Sequence, residues 1–124
     1  MENDQSSICG CGTDEYMVLA CSGSSDVGFI ADQVARMLTK NKVRKMNCLT
    51  VAATGTPEKI EEFKKCNILV IDGCTEDCGK KIMAMRGITD YRYLRLTDLG
   101  YEKYKTPVTE EIIRAVYEKA AVIY

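Results

Sequence analysis

The sequence predicts a single α/β domain: a three-layer αβα sandwich around a four-stranded, mainly parallel sheet. Three observations predict it. Short apolar runs alternate with helix-length amphipathic segments four times over, which is the pattern of a sheet covered on both faces. Each run is strand-sized rather than helix-sized. The length of 124 residues suits one core and buries roughly two-thirds of the unfolded surface. Right-handed crossovers then give a doubly wound order, 2-1-3-4.

Residues 1–15, with Cys9 and Cys11 in "CGCGTDE", read as a flexible N-terminal arm, and 16–124 as the domain. "YMVLAC", Tyr16 to Cys21, is the first buried strand, followed by the turn "SGSSDVG". From Asp26 to Thr39, Val27, Ile30, Val34, Met37 and Leu38 recur at helical spacing, with Ser25 or Asp26 as cap. "KMNCLTV", Lys45 to Val51, is the second strand. In "GTPEKIEEFKKC", Thr56 caps a helix, Pro57 takes its first position and acidic residues fill its first turn. "NILVID", Asn67 to Asp72, is the third strand, with four consecutive large aliphatics. Cys78, Ile82 and Met85 then share one helix face, and that helix stops near Gly87. "YRYLRLT", Tyr91 to Thr97, alternates as the fourth strand. Thr106 and Pro107 open a last helix whose stripe is Val108, Ile112, Val116 and Ala120.

A hydrophobic fraction of 46% and a charged fraction of 28% are those of a soluble globular protein. A net charge of −1 gives no reason to expect nucleic acid or an anionic membrane as partner. No apolar run approaches the roughly 18 residues a membrane span requires. The opening "MENDQSSICG" is acidic and polar, unlike a signal peptide, so a cytoplasmic location is expected. There is no histidine, which removes Ser-His-Asp and Cys-His catalysis and mixed Cys/His zinc sites.

The seven cysteines are the informative feature. In a reducing compartment cysteines more often bind metal or react than form permanent disulfides. All strands of a parallel sheet end on one edge, and ligands bind there, chiefly where strand order reverses. Cys21 closes the first strand, Cys48 lies at the end of the second, Cys74 follows the third, and Cys78 falls in the first turn of the next helix. Four thiols distant in sequence should therefore meet. Cys66, at a helix end, reads as core filling.

Four thiolates suit tetrahedral zinc, with Zn–S near 2.3 Å. The spacing C-x26-C-x25-C-x3-C lacks paired C-x2-C knuckles, and iron–sulfur or monovalent copper would suit the same donors. A thiol at a helix start is favoured as thiolate, which applies to Cys78 and, through the glycine-rich turn, to Cys21. This also feeds a rival reading, a thiol-based redox or persulfide-transfer enzyme using Cys74 and Cys78, with Cys78 or Cys21 attacking. A third reading is an anion or small-cofactor site at the glycine-rich turn. "CSGSSDVG" is not a Walker loop. A cysteine-dependent phosphatase needs an arginine six residues after its nucleophile, and position 27 is valine. No catalytic constellation is recognisable.

"CSGSSDVG", Cys48-Leu49, "IDGCTEDCGKK" and "LTDLG" together resemble the DGC-domain family of zinc-binding proteins, named for the tripeptide that is here Asp72-Gly73-Cys74. The resemblance covers nearly all of the chain after the arm. It implies one zinc ion on the four motif cysteines, Cys21, Cys48, Cys74 and Cys78. Asp72 and Asp98 fall at strand ends; Asp72 reads as a turn cap and Asp98 as a turn residue before Gly100.

Overall fold

The structure, a computed structural model, describes residues 15–124. Strand and helix alternate as β1 (Tyr16–Ala20), α1 (Asp26–Lys40), β2 (Lys45–Cys48), α2 (Leu49–Thr54), α3 (Pro57–Lys64), β3 (Asn67–Asp72), α4 (Cys78–Met85), β4 (Arg92–Arg95) and α5 (Glu110–Ala121). A 3-10 turn at Leu96–Leu99 follows β4. The four strands are parallel in the order β2-β1-β3-β4, as the alternation predicted. The predicted arm, with Cys9 and Cys11, lies outside the described residues except Glu15, whose carbonyl accepts from the Asn67 amide at 2.8 Å.

Because both faces of the sheet are covered, successive side chains of one strand feed two cores. Val18 and Ala20 of β1, with Leu69 and Ile71 of β3, join Ile30, Val34 and Leu38 of α1 and Val116 and Ala120 of α5. Met17 and Leu19, with Ile68 and Val70, face Ile60 and Phe63 of α3, Met83 of α4 and Ala52 of α2. Cys66 is buried in this second layer, as its position suggested.

Three boundaries and one helix face differ from expectation. The second strand ends at Cys48, and "LTVAAT" turns into α2, because burying Ala52 against the second core outweighs the strand preference of Thr50 and Val51. The fourth strand stops at Arg95, and the 3-10 turn buries Leu96 in the first core. The last helix begins at Glu110 with Thr109 as cap, accepting from the Ile112 amide at 3.2 Å. Thr106 is committed elsewhere: its hydroxyl donates to Glu102 O at 2.7 Å and its amide to Asp26 at 2.9 Å. Val108 is consequently outside the helix and exposed. Finally, α4 buries Gly79 and Met83, not the predicted face; Cys78 and Met85 are exposed.

The opposite edge, where strands begin, is closed by one cation. Arg44 is buried, and its guanidinium donates to Met17 O at 3.0 Å, Asn67 O at 2.8 Å and Ile123 O at 3.0 Å. Burial pushes its pKa down, to about 10, which still leaves it charged at neutral pH. Replacing Arg44 by methionine keeps the stem and strands three carbonyls, so we expect a loss of about 3 kcal/mol in urea unfolding.

Two aspartates hold loops to α1. Burial opposes ionisation of Asp26, but the amides of Tyr104, Thr106 and Val27 outweigh it and lower its pKa. Burial likewise opposes ionisation of Asp32, and Arg36 and Ser22 outweigh it. A carboxylate whose folded pKa is depressed stabilises the fold above its unfolded value of about 3.9 and ceases to as pH falls through the lower folded value. Stability should be flat from pH 7 to about 5 and fall below pH 4, and Asp26→Asn should shallow that fall. Thermal melts across pH 2.5–7, the range spanning about these pKa values, check it.

Candidate thiol site at the carboxyl edge of the sheet

The edge where the four strands end is built around Asp72, the last residue of β3. Its side chain is buried and accepts from the Gly79 amide at 2.8 Å and the Lys80 amide at 3.1 Å. These are first-turn donors of α4 that no residue of the helix itself can satisfy. The residue in the N-cap position, Asp77, has φ 56° and caps nothing with its side chain. Asp72 therefore caps α4 from the sheet, as its place suggested.

Tyr93, from β4, donates to Asp72 at 2.7 Å, and its hydroxyl also lies 3.1 Å from Asp77 Oδ1. Burial, then Asp72, raise the Tyr93 pKa, so it stays a protonated donor. Arg95 clamps Asp77 at 2.7 Å and Asp98 at 3.0 Å. Arg95 holds the Asp77 pKa below the usual carboxylate range, and the pairing supports a left-handed backbone there. The segment carrying Cys74 and Cys78 is thus fixed at both ends. Asp98, read as a turn residue, is also an ion-pair partner, and Gly100 follows it with φ 96°.

The glycine of "DCGK" is a packing requirement. A Cβ on Gly79 would lie 2.6 Å from Val70 Cγ1 and 2.8 Å from Asp72 Oδ1. Only glycine lets α4 lie this close to β3, and that approach brings Cys78 over the sheet edge.

Cys21 follows β1 directly, its amide still in the sheet through Ile71 O at 3.0 Å. Its thiol is half-buried and near enough to the Cys78 thiol to be influenced by it electrostatically. The pair stands between β1 and β3, where strand order reverses. Burial pushes the Cys21 pKa up to about 11, with Cys78 and Asp72 adding to the rise and the Gly23 amide opposing it. The expectation that helix-start geometry would favour a Cys21 thiolate is corrected: desolvation and two acidic neighbours outweigh the amide.

Cys48 is exposed at the end of β2 and occupies the N-cap position of α2. The Thr50 hydroxyl lowers its pKa first; burial opposes this, and the amides of Thr50 and Val51 add to the lowering. Sequence reading missed this, because the residues after Cys48 passed for strand. Cys48 and Cys21 line one cleft of about 920 Å³.

Cys74 is half-buried and packs against the core layer beneath α1 and α5. Its carbonyl accepts from the Asp77 amide at 3.2 Å, closing the turn into α4. Lys103 lies within electrostatic reach, its pKa raised first by Cys74. Of the four predicted cysteines, the structure joins Cys21 with Cys78, sets Cys48 on the same cleft as Cys21, and leans Cys74 toward the other layer. Among the described residues, no three Cys, Asp or Glu side chains are arranged to hold a metal ion. No described helix is long and apolar enough to cross a membrane.

A model of the DGC domain matches residues 17–120. The chain belongs to the DGC-domain family. The match covers the whole sheet and all five helices except the ends of β1 and α5. The anaerobic and virulence modulator AnvM of Pseudomonas aeruginosa is 28% identical over 88 residues, which span 70% of this chain and 67% of that protein. No solved structure matches the chain. In this DGC domain each letter of the tripeptide has a physical task. Asp72 caps α4, Cys74 starts the turn, and Gly73 passes so close to α1 that a Cβ would lie 2.8 Å from the Val27 carbonyl carbon.

Asp72→Ala should cost about 2–4 kcal/mol, since it leaves two amides and a phenol without their acceptor. Gly79→Ala should cost about 1–3 kcal/mol through overpacking. Urea unfolding gives both values, and hydrogen exchange at Gly79 and Lys80 should quicken in Asp72→Ala ahead of the sheet amides.

Proposed function

We propose that this DGC domain is a metal-binding module that holds one soft ion, zinc before others, on thiolates at the carboxyl edge of its sheet. The ligand set remains Cys21, Cys48, Cys74 and Cys78, with Cys21 and Cys78 at its centre. The observation that carries the reading is the convergence of Cys21, after β1, and Cys78, at the start of α4, on the β1–β3 switch point, where Cys78 acts electrostatically on Cys21. The donor chemistry fits a soft ion: every candidate ligand is sulfur, and the chain has no histidine. The geometry is incomplete, since Cys21 and Cys78 are electrostatic neighbours, Cys48 shares a cleft with Cys21, and Cys74 packs against the core layer beneath α1 and α5. A bound zinc ion would supply the positive charge that stabilises thiolates beside Asp72.

The protein's own part is positioning. Asp72, Gly79 and the Tyr93–Asp77–Arg95 chain fix α4, and with it Cys78, against the end of β1. The two aliphatic cores do not depend on this edge, so the metal-free domain should stay folded, as suits a binder or carrier rather than a zinc-nucleated fold. We place it in the cytoplasm, where thiols remain reduced, with a metal ion as partner and no nucleic acid.

The same proximity favours a second reading, a redox dithiol, with the pair now Cys21 and Cys78 rather than Cys74 and Cys78. A disulfide substrate would be reduced by two electrons to two thiols as the Cys21–Cys78 bond formed. The name of the Pseudomonas aeruginosa relative, an anaerobic and virulence modulator, is consistent with that reading.

Metal content separates them. Protein purified without chelator should carry close to one zinc per chain by native mass spectrometry. Cys21→Ser and Cys78→Ser should abolish retention, while Cys48→Ser and Cys74→Ser weaken it. Metal-free wild-type protein that closes an intramolecular disulfide, lost in Cys21→Ser and in Cys78→Ser, selects the dithiol instead.

A further inference from the structure

Charge is distributed unevenly along this chain. The ten residues from Arg36 to Lys45 hold five of its 17 basic residues and none of its 18 acidic ones, which leaves 12 basic against 18 acidic elsewhere. The stretch ends α1, turns and enters β2, so the fold gathers it on one side of the sheet. Two of the five are engaged: Arg36 pairs with Asp32 at 2.7 Å, and Arg44 is buried on its three carbonyls. Lys40, Lys42 and Lys45 form no ion pair among the described residues. Lys40 and Lys42 are exposed and Lys45 is half-buried. Lys42 also holds φ 61°, a left-handed backbone that glycine would take without strain.

These lysines border an open strand. β2 is the last strand on its side of the sheet and pairs with β1 alone. Its Met46 amide turns outward, to the Thr39 hydroxyl at 2.8 Å. Alternation along a strand turns the Met46 carbonyl and the Cys48 amide the same way. Two hollows meet at Thr39. One, of about 920 Å³, has Lys40, Met46, Leu49 and Ile82 in its wall; the other, of about 360 Å³, has Lys42, Val43 and Lys45. Outward backbone groups, apolar surface and unpaired cations therefore run in one strip.

The strip also selects its occupant. Three unpaired lysines on an open edge repel the same edge of a second copy and attract carboxylates. A long nucleic acid would meet the acidic excess of the rest of the chain. It would also find the Tyr16 ring, in the wall of the smaller hollow, already covered on one face by the Arg44 guanidinium at 5.1 Å. We propose that the outer side of β2 docks an acidic, extended segment of a partner protein by strand addition. The segment lies along Met46 to Cys48, its carboxylates meet Lys40, Lys42 and Lys45, and an apolar side chain between them enters the larger hollow over Leu49 and Ile82. Only the backbone of Cys48 takes part, so the docking stands apart from the metal reading.

The test uses the full chain and a fluorescein-labelled peptide of five Glu-Val repeats, followed by fluorescence anisotropy. The peptide should bind, and raising salt from about 0.05 M to about 0.5 M should weaken it about tenfold. The matching Lys-Val peptide should not bind. Replacing Lys40, Lys42 and Lys45 together by glutamine should weaken the acidic peptide about tenfold. The same change at Lys65, Lys81 and Lys119, exposed on other parts of the fold, should leave it within about twofold. Lys42→Gly separates docking from stability and decides alone if the triple variant fails to fold. Glycine accepts the left-handed turn, so the melting temperature should rise while the peptide weakens about threefold. Amide resonances of Met46 and Cys48 should shift on binding. No binding at millimolar peptide, equal loss in the two triple variants, or unmoved Met46 and Cys48 resonances overturns the site. A ten-nucleotide oligouridylate that binds as tightly, through the same lysines, overturns the acidic segment as its partner.

Discussion

A buried carboxylate at the end of a central strand sets the arrangement of the sheet's carboxyl edge. Asp72 leaves β3 already committed to two amides of a helix that starts six residues later and to the phenol of a tyrosine one strand away. Without those partners a buried carboxylate would be strongly unfavourable; with them it becomes a junction between sheet, helix and edge strand. The close approach at Gly79 and the left-handed backbone at Asp77 follow from the same junction.

The junction also decides the electrostatics of the thiols. An isolated helix start would draw a nearby thiol toward thiolate. Here Asp72 already occupies that positive end, and its charge, with burial, works the other way on Cys21. Cys48, at the start of α2, keeps the benefit of the Thr50 hydroxyl and of the Thr50 and Val51 amides. Two cysteines on the same edge thus differ in acid strength, first because Cys21 is the more buried and then because Cys78 and Asp72 lie beside it.

Much of this was legible before any coordinates. The strand order follows from alternation and crossover handedness, and the convergence of Cys21 with Cys78 follows from all strands ending on one edge. Capping by Ser25, Thr56 and Asp72 was also readable, since each has an acceptor and a helix start in the right place. What was not readable depended on packing. "LTVAAT" has strand-like residues but turns to bury Ala52. The Cys78–Ile82–Met85 stripe has helical spacing, yet the close approach at Gly79 leaves Cys78 and Met85 exposed and Ile82 only half-buried. Cys74 has the spacing of a ligand, and only three dimensions reveal that its side chain leans on the layer beneath α1 and α5.

Arg44 has a practical corollary. By tying Ile123 to the beginnings of β1 and β3, it keeps the end of α5 on the rim away from the cysteines, about 17 Å off for a five-residue strand. A fluorophore or surface linker attached after Tyr124 would leave the sulfur-bearing rim facing open solution. Immobilised protein could then be titrated with ions or peptides without the anchor standing in their path.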